Sequence, residues 1–487
     1  MKNTKVLCVG AGPAGLTAAA ELLAAGRQVA VLEKDAHYVG GISRTVQYKG
    51  FRFDIGGHRF FSKNQEVMRW WRERLPNDFL EVKRQSRILY RQKWFDYPLR
   101  PANALGNLGI ATSVACVLSY LWRRLFPIRP ERSFADWVSN RFGRKLFHIF
   151  FKTYTEKVWG MPCEEISADW ASQRIKGLSL MSAIWNAFRG GPREGAVIKT
   201  LIDTFQYPRL GPGMMWEKTR DDIVQAGGAI HMGRNVEEIH HADGRVQLVR
   251  TRDANGLVED WTADQFIVSM PLRETVLNLR PEASVEAVAA AQSLKYRDFI
   301  TVALMVKGEN LFTDNWIYIH DPEVKVGRVQ NFNNWSREMV PQAGVTCLGL
   351  EYFCSVGDGM WEMTDEALIE LAETEAARIG LVAPGTVFDA CVVRMEKAYP
   401  VYDGEYQARV AVLRRELERF DNFQVIGRNG MHKYNNQDHS MMTGMLAARN
   451  LQMEQFDLWR VNTDAEYQES GAAPETGRMT PEPVKAN

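Results

Sequence analysis

The sequence has few cysteines, no surplus of one charge and no long apolar run. Its 487 residues include six cysteines, none in a CxxC pair, and no secretory signal precedes the first predicted strand. This pattern argues against disulfides and zinc and predicts a reducing, cytoplasmic location. The chain has 60 lysine and arginine residues and 59 aspartate and glutamate residues, so its charge balance does not indicate a nucleic-acid partner. We expect no metal, because no histidines or carboxylates stand at ligand spacing.

The most apolar stretch, residues 108–122, is about 15 residues long and runs into Arg123 and Arg124. A bilayer span needs about 20 residues, so no transmembrane helix is predicted. A buried helix is the favoured interpretation. The alternative is a helix that lies on a membrane surface, at the inner face, beside the arginine pair.

A strand–turn–helix–strand unit opens the chain. Residues 5–9 are apolar and β-prone, and residues 10–15 form a glycine-rich turn. An alanine-rich helix is predicted over residues 16–25, followed by a second strand over residues 29–32 that ends at Glu33. This order predicts a βαβ unit with a parallel sheet.

The glycines of the turn have separate expected roles. Gly10 permits the tight turn, Gly12 lets the backbone approach a pyrophosphate, and Gly15 lets helix and strand pack. Glu33 is placed to accept hydrogen bonds from a ribose. The unit therefore predicts a dinucleotide at the helix N-terminus.

A second glycine pair, Gly40 and Gly41, follows the ribose carboxylate and is itself followed by Arg44 and Thr45. A bound NAD would not need this segment. A longer cofactor would run past the first phosphate site, where Arg44 can pair with its diphosphate. FAD is therefore the predicted cofactor.

The chain is too long for one core, and two or three intimately packed domains are expected. Helical patterning dominates residues 65–200, and residues 423–428 are predicted as a strand. The predicted units are a discontinuous FAD-binding domain (1–70, 205–275 and 420–462), an inserted helical substrate domain (71–204), a sheet-rich substrate domain (276–419) and a disordered tail (463–487). The predicted fold class is α/β, with a Rossmann-type FAD-binding domain, an inserted helical domain and a second, mainly antiparallel sheet.

The order of these motifs resembles one superfamily of FAD enzymes. The arrangement GxGxxG, Glu33, then GGxxRT is similar to the superfamily that contains amine oxidases, protoporphyrinogen oxidases, phytoene desaturases and UDP-galactopyranose mutases. Four later segments resemble the mutases in order and spacing: residues 54–61 (DIGGHRFF), 150–160 (FFKTYTEKVWG), 398–402 (AYPVY) and 427–438 (GRNGMHKYNNQD). The resemblance covers residues 5–450 and is weakest over residues 305–390.

The resemblance to the mutases implies a set of site residues. Those implied for catalysis are Arg174, Arg297, His58, Tyr399 and Tyr434, of which the two arginines would bind a sugar nucleotide's diphosphate and the two tyrosines its phosphates. Those implied for the substrate pocket are Phe150, Phe151, Tyr154, Trp159, Arg174, Tyr399 and Tyr434. Those implied for the cofactor are Gly10, Gly12, Pro13, Ala14, Gly15, Glu33, Lys34, Gly40, Gly41, Arg44, Thr45, Gly57, His58, Val236, Gly427, Arg428, Asn436, Gln437 and Asp438.

The resemblance also implies a reaction. FAD would be reduced, with NAD(P)H as the expected reductant, and its N5 would attack the anomeric carbon of a nucleotide sugar similar to UDP-galactose. Ring opening and closure on a different hydroxyl would interconvert the pyranose and furanose forms without net redox change. A homodimer is the family expectation for assembly.

A true oxidoreductase of the same superfamily, acting on an amine, a porphyrinogen or a polyprenoid, is the alternative. Two departures from the mutase pattern leave it open: residues 432–434 read His-Lys-Tyr, and Phe61 stands where many bacterial mutases have a second histidine. Mutase chemistry needs Arg174, Tyr399 and Tyr434 to converge near the flavin. An oxidoreductase predicts an apolar cavity without paired arginines.

Overall fold

The computed structural model describes residues 2–97, 99, 101–168, 203–452 and 454–462. Its strands, in chain order, are β1 (Lys2–Val9), β2 (Val29–Leu32), β3 (Thr45–Tyr48), β4 (Phe51–Asp54), β5 (Phe79–Lys83), β6 (Ser86–Tyr90), β7 (Lys93–Asp96), β8 (Thr204–Pro208), β9 (Ala229–His231), β10 (Asn235–Ala242), β11 (Arg245–Arg252), β12 (Val258–Val268), β13 (Leu279–Arg280), β14 (Tyr296–Lys307), β15 (Trp316–Ile319), β16 (Arg328–Asn331), β17 (Val345–Cys354), β18 (Val387–Pro400) and β19 (Phe423–Val425). The predicted tail, residues 463–487, lies outside the described residues.

The α-helices are named here by their bounds. They are Pro13–Ala24, Gln65–Arg74, Pro101–Leu108, Ile110–Leu125, Phe134–Phe142, Arg144–Phe147, Thr153–Trp159, Gly213–Gln225, Leu272–Leu277, Val285–Ser293, Asp365–Arg378, Tyr406–Leu417, Gly427–Gly430 and Gln437–Asn450. Short 3-10 turns lie at Gly41–Ser43, Phe332–Asn334, Arg337–Met339 and Leu458–Arg460, and a π-helical turn lies at His148–Lys152.

The first sheet carries the βαβ unit. Its strand order is β13-β10-β11-β12-β1-β2-β9, and β19 also pairs with β12. Strand β1 runs parallel to both neighbours, with Val6 opposite Val29 of β2 and Gln265 of β12. All four residues of β2 are buried, which is typical of a parallel strand covered on both faces. The predicted Rossmann-type sheet is confirmed.

Two helices from opposite ends of the chain meet against this sheet. They are Pro13–Ala24 and Gln437–Asn450, and a Cβ on Gly444 would lie 2.3 Å from the carbonyl oxygen of Ala14. Only glycine lets the two backbones approach this closely. The contact brings the start of the C-terminal helix beside the glycine-rich turn.

The second sheet has the order β18-β14-β17-β16-β15-β6-β7. Its neighbouring strands are antiparallel except β6 and β15, which are parallel. The predicted second, mainly antiparallel sheet is therefore confirmed. Every residue of β17 is buried, so this strand lies in the centre of a hydrophobic layer.

Residues 79–96 correct the prediction of a mainly helical segment, because they form strands β5, β6 and β7. Strands β6 and β7 make a hairpin that extends the second sheet. Arg91 and Gln92 turn this hairpin with φ values of 49° and 59°. Paired positive φ values are typical of a type I′ turn, which usually carries Asn-Gly. The Arg-Gln pair gave no turn signal, so the hairpin could not be recognised.

Two further boundaries differ from the prediction. The first helix begins at Pro13 instead of residue 16, because proline suits the first helical position. The predicted strand over residues 423–428 ends at Val425, since Gly427 adopts a φ of +80° and opens the short helix Gly427–Gly430. In the part of the chain that the structure describes, no helix is long and apolar enough to cross a membrane.

A buried carboxyl group predicts an unusual pH dependence of stability. Burial raises the pKa of Asp54 to about 7, although hydrogen bonds from Tyr207 and Thr45 act to lower it. The folded protein therefore holds this proton more tightly than the unfolded chain, and stability falls as pH rises from about 4 to about 7. The free energy of unfolding of the unchanged protein should fall by on the order of 2 kcal/mol across this pH range. In Asp54→Asn this fall should be absent, as measured by urea unfolding at a series of pH values.

The exposed Asp421 provides the control for this prediction. Asp421→Asn should leave the pH dependence of the unfolding free energy as it is in the unchanged protein. An Asp54→Asn variant that still loses stability between pH values of about 4 and 7 would contradict the assignment.

Candidate cofactor and substrate site

Two glycines of the glycine-rich turn are packed against neighbouring atoms, and a third faces open space. A Cβ on Gly10, whose φ is +97°, would lie 2.3 Å from Ser269 Oγ, and one on Gly15 would lie 2.0 Å from Gly10 O. A Cβ on Gly12 would meet no atom within 4 Å. Gly10 and Gly15 are therefore required by packing. The bare backbone at Gly12 is the place where a pyrophosphate could approach the helix N-terminus.

Glu33 and Arg44 lie beside this turn. The Glu33 carboxylate accepts hydrogen bonds from Ala11 N at 2.6 Å and Asp35 N at 2.9 Å. Arg44 forms an ion pair with Asp35 and lies 5.0 Å over the ring of Tyr38. Glu33 is thus held at the end of β2, where a ribose is predicted. One nitrogen of the Arg44 guanidinium, Nη1, is already bound to Asp35.

The residues present fit a dinucleotide cofactor. Two buried nitrogen atoms, Arg44 Nε and Gln437 Nε2, have no hydrogen-bond partner among the described residues. A Cβ on Gly41 would lie 3.6 Å from Gly12 Cα, so two glycine backbones border the same space. Gln437 begins the C-terminal helix, and its side-chain oxygen accepts from Trp216 Nε1 at 3.2 Å. An anionic diphosphate and a polar ring system both accept hydrogen bonds. Unpaired N–H donors beside exposed glycine backbone could supply these bonds.

The other residues predicted to contact the cofactor have contacts of their own within the protein. Pro13 and Ala14 open the first helix, Gly40 packs on Trp216, and Thr45 donates to Asp54 at 2.9 Å. Lys34 is exposed with its ammonium 3.9 Å from Glu396, and the carbonyl of Val236 accepts from Asn278 at 3.1 Å. Asn436 caps the C-terminal helix, and the buried Asp438 accepts from Ser62 Oγ at 2.9 Å. Their contact with FAD stays a prediction.

Arg428 ties together the two segments that carry the predicted tyrosines. Its Nε donates to Asn435 O at 2.8 Å and its Nη1 donates to Ala398 O at 3.2 Å. The guanidinium lies 4.8 Å over the ring of Tyr434 and 5.5 Å over the ring of Tyr399. Gly427 supplies the positive φ that places Arg428 there. Arg428 is therefore both a positioning group and a local positive charge.

The tyrosines form an aromatic wall. The rings of Tyr399 and Tyr434 stack at 5.7 Å with an angle of 18°, and Trp159 lies 6.5 Å from Tyr434. Burial and the neighbouring Tyr434 raise the pKa of Tyr399 to about 12, although Arg328 and Arg428 act to lower it. Tyr399 therefore stays protonated at neutral pH. Its hydroxyl can donate a hydrogen bond.

His58 lies in the loop after β4 with Nδ1 3.3 Å from Gly56 O. Burial, with a further contribution from the charges of Arg428 and Arg328, lowers the pKa of His58 to about 3. The imidazole is consequently neutral across the physiological range. The neighbouring Gly57 would bring a Cβ to 2.9 Å from Gln330 Nε2, so this loop packs tightly on β16.

Arg328 is a site residue that sequence reasoning missed. It lies on β16 between Tyr318 of β15 and Glu351 of β17, and it forms an ion pair with Glu351. A Cβ on Gly56 would lie 3.6 Å from its Nη2, which places the guanidinium beside the His58 loop. Burial acts to lower the pKa of Arg328, but the carboxylate of Glu351 raises it. Arg328 is therefore a permanent positive charge.

A signal for Arg328 was present in the sequence. Glu351 is the one charged residue of β17, whose sequence is VTCLGLEYFC. A carboxylate in the middle of a buried strand needs a cationic partner. This argument predicts that a basic residue exists, but pairing with β16 is needed to identify it.

Arg297, predicted as the second diphosphate-binding arginine, is bound to the protein backbone instead. Its guanidinium donates to Val158 O at 3.1 Å, Phe353 O at 2.9 Å and Ser355 Oγ at 2.8 Å. A Cβ on Gly160 would lie 2.5 Å from Arg297 Cζ. These contacts cap the C-terminal end of helix Thr153–Trp159, so Arg297 positions Tyr154 and Trp159 indirectly. A contact of Arg297 with a diphosphate stays a prediction.

Phe150 and Phe151, which are predicted to line the substrate pocket, pack against other aromatic rings, and their contact with a substrate stays a prediction. Phe150 is 4% exposed, and its ring lies 5.0 Å from Phe95 in an edge-on contact. Phe151 stacks on Phe142 at 5.2 Å. Both belong to hydrophobic clusters, because helix-spaced aromatic residues serve first as core. Tyr154 differs from them, since it stacks on His320 at 4.9 Å and packs on Tyr318 at 5.4 Å.

The capping role of Arg297 gives a testable prediction. Arg297→Met leaves the helix carbonyls of Val158 and Lys157 without this donor, and we expect a loss of about 2 to 3 kcal/mol in the free energy of unfolding. Arg409→Met, which removes a partly buried arginine from an ion pair with Asp403, serves as the control. A stability loss no larger than that of the control would contradict the capping role.

Arg174, predicted as the first diphosphate-binding arginine, lies outside the described residues. The mutase interpretation depends on Arg174, Tyr399 and Tyr434. The structure brings the two tyrosines together.

Known proteins share this fold. A crystal structure of reduced UDP-galactopyranose mutase superposes with a TM-score of 0.78 and 24% identity, over 92% of this chain and 95% of that one. A putative protoporphyrinogen oxidase from Exiguobacterium sp. 255-15 superposes with a TM-score of 0.69 and 15% identity, over 93% and 99% of the two chains. At these identities the likeness concerns the fold.

Sequence similarity gives the family. The chain is 48% identical over 54 residues to the inactive all-trans-retinol 13,14-reductase of Danio rerio, a match that spans 11% of this chain and 9% of that protein. The model of the family described as flavin containing amine oxidoreductase matches residues 13–384. This match covers more than half of the chain and includes the helix that follows the glycine-rich turn. The protein is therefore a flavoenzyme that belongs to the flavin containing amine oxidoreductase family.

Proposed function

We propose that the protein is an FAD-dependent mutase that interconverts the pyranose and furanose forms of a nucleotide sugar, with a UDP-sugar similar to UDP-galactose as substrate. The observation that carries this proposal is the pair of arginines, Arg328 and Arg428, that faces the tyrosine wall and His58. Both charges act on the pKa of His58 and of Tyr399. Two cations beside tyrosine hydroxyls form a suitable site for a diphosphate.

In this proposal Arg328 replaces Arg297 as the second arginine for the diphosphate, and Arg174 remains the first. Arg328 would stabilise the negative charge that builds on the departing diphosphate. Tyr399 and Tyr434 would donate hydrogen bonds to its oxygens. Arg428 would hold the two tyrosines in register through its bonds to Ala398 O and Asn435 O.

The bound cofactor would supply what the side chains do not. Reduced FAD would provide the nucleophile for the anomeric carbon, with NAD(P)H as the expected reductant. The neutral His58 would border the flavin without adding a positive charge of its own. No lone serine, cysteine or free carboxylate is needed in this division of roles.

An amine or apolar oxidoreductase reaction is the second candidate, favoured by the family to which the chain belongs. A protonated amine would be repelled by Arg328 and Arg428. An apolar substrate would leave the tyrosine hydroxyls and both guanidiniums facing hydrocarbon, at a desolvation cost. The charge of the site thus supports the mutase over this candidate.

The test is an isomerisation assay under anaerobic conditions. The dithionite-reduced enzyme is expected to convert UDP-galactopyranose, or a related sugar nucleotide, to the furanose form, and the oxidised enzyme is not. Changing Tyr399 and Tyr434 together to phenylalanine should lower kcat/KM by about 100-fold. Tyr48→Phe, which removes a hydroxyl bound to Asp389 at 3.0 Å, is the control. Absence of isomer from every sugar nucleotide, with oxygen-linked turnover of an amine, would refute the proposal.

A further inference from the structure

One face of helix Ile110–Leu125 is apolar and exposed. Ile110 is 87% exposed, Leu118 61%, Trp122 59% and Leu125 73%. The spacing of these side chains by three or four residues puts them on one stripe, which we call the apolar face; its members are Ile110, Val114, Leu118, Leu121, Trp122 and Leu125. Isolated exposed apolar residues are ordinary, but a continuous stripe indicates a binding surface.

The rest of the molecule fixes the opposite side of this helix. Cys116 and Tyr120 are buried there. A Cβ on Gly143 would lie 2.6 Å from Tyr120 N, and Lys145 N donates to Ser119 Oγ at 3.0 Å. Cys116 belongs to the same hydrophobic cluster as Phe95 and Phe150. The apolar face is therefore held outward by packing behind it.

The surroundings of the apolar face are basic. Residues 97–130 contain no aspartate or glutamate. Five exposed cations lie at the C-terminal end of the helix and in the segments packed beside it; these residues, which we call the basic rim, are Arg124, Arg129, Arg132, Arg144 and Lys145. The first carboxylate that follows along the chain, Glu131, is already paired with Arg141 at 2.8 Å. The whole chain has a formal charge of +1, so this excess is local.

We propose that the apolar face and the basic rim dock the protein on an anionic lipid surface. An amphipathic helix that lies flat would bury its apolar side chains at the boundary of headgroups and acyl chains, while the rim arginines contact lipid phosphates. The helix has 16 residues, too few to cross a bilayer. Trp122 lies next to the basic end, and tryptophan is enriched at membrane–water interfaces.

Charge favours lipid over a second copy of the chain. A second copy would present the same basic surface, whose Glu131 is already paired with Arg141, so neither partner could neutralise the basic rim of the other. Anionic headgroups supply this negative charge at every contact. The proposal does not depend on the proposed reaction, because none of the docking residues contacts the candidate site.

The test is flotation of the full chain, loaded with FAD, with lipid vesicles. One set is phosphatidylcholine and the other an equimolar mixture of phosphatidylcholine and phosphatidylglycerol. We expect binding to the anionic set and at least about tenfold less binding to the neutral set. Leu118→Asp with Trp122→Asp, and separately Arg124→Gln with Lys145→Gln, should each lower the partition coefficient by about tenfold or more.

Leu257→Asp is the matched control, since Leu257 is a 54% exposed leucine on a distant turn. It should bind like the unchanged protein, and all variants should keep the same flavin absorbance and unfolding midpoint. Failure to bind anionic vesicles, or equal binding to both sets, would overturn the proposal. A concentration-dependent dimer that Leu118→Asp dissociates, without vesicle binding, would assign the surface to a second copy instead.

Discussion

Gly12→Val is expected to give a folded protein that has lost FAD, with affinity lowered at least about 100-fold. Gly12 has a φ of −78° and a ψ of −179°, an extended conformation that valine adopts without strain. Its added Cβ meets no atom within 4 Å, so the unliganded fold is undisturbed. The added methyl groups would instead fill the space in which a pyrophosphate approaches the backbone N–H groups. Flavin absorbance of the purified protein and calorimetric titration with FAD measure the loss.

Gly15 provides a contrast within the same turn. A Cβ on Gly15 would lie 2.0 Å from Gly10 O, so Gly15→Val should fail to fold, whether FAD is present or not. The two variants thus separate a glycine needed by the ligand from one needed by packing. If Gly12→Val kept FAD at normal affinity, the cofactor could not lie against this turn.

Arg328→Met is expected to lower kcat/KM of the proposed isomerisation by about 100-fold or more, because the diphosphate would lose a charge-assisted contact. The same change leaves the buried Glu351 without its partner, at a cost of about 3 to 5 kcal/mol in the free energy of unfolding. Activity loss from this variant alone would therefore be ambiguous.

A second substitution separates stability from catalysis. Arg328→Met combined with Glu351→Leu removes both charges, and most of the stability should return while activity stays low. The ion pair of Arg87 and Asp314, at 2.6 Å with an equally buried carboxylate, is the matched control. Arg87→Met with Asp314→Leu should keep full activity per folded molecule. Recovery of activity in the Arg328–Glu351 double variant would exclude Arg328 from substrate binding.

The cofactor half of the fold could be predicted because its signals are local. The strand, the glycine-rich turn and the second strand ending at Glu33 follow one another within a single βαβ unit. Gly10 and Gly15 are explained by contacts inside that unit or with Ser269, and Gly12 by the open space it leaves for a ligand. The predicted α/β class and the second sheet were confirmed for the same reason: apolar runs and turns mark buried strands.

The hairpin of β6 and β7 shows where local reasoning failed. Its turn residues, Arg91 and Gln92, adopt positive φ values without the residues that usually signal them. What favours that turn is the pairing of β6 with β15, more than 200 residues away. Tertiary pairing thus overrides local preference, and a single sequence does not contain that information in readable form.

The candidate site also combines features that local sequence predicts with features that depend on tertiary pairing. The sequence by itself determined the glycine-rich turn and the superfamily, since motifs record residues that are fixed by neighbours along the chain. Its resemblance to the mutases implied Tyr399 and Tyr434, whose rings stack in the structure while their role stays a prediction. Only the tertiary structure decided the roles of the arginines. Arg297 and Arg328 both lie on strands of one sheet, but Arg297 faces the free carbonyls of a helix end and Arg328 faces a buried carboxylate beside the His58 loop. A side chain's partner depends on strand pairing and packing across the molecule, and no local pattern encodes either.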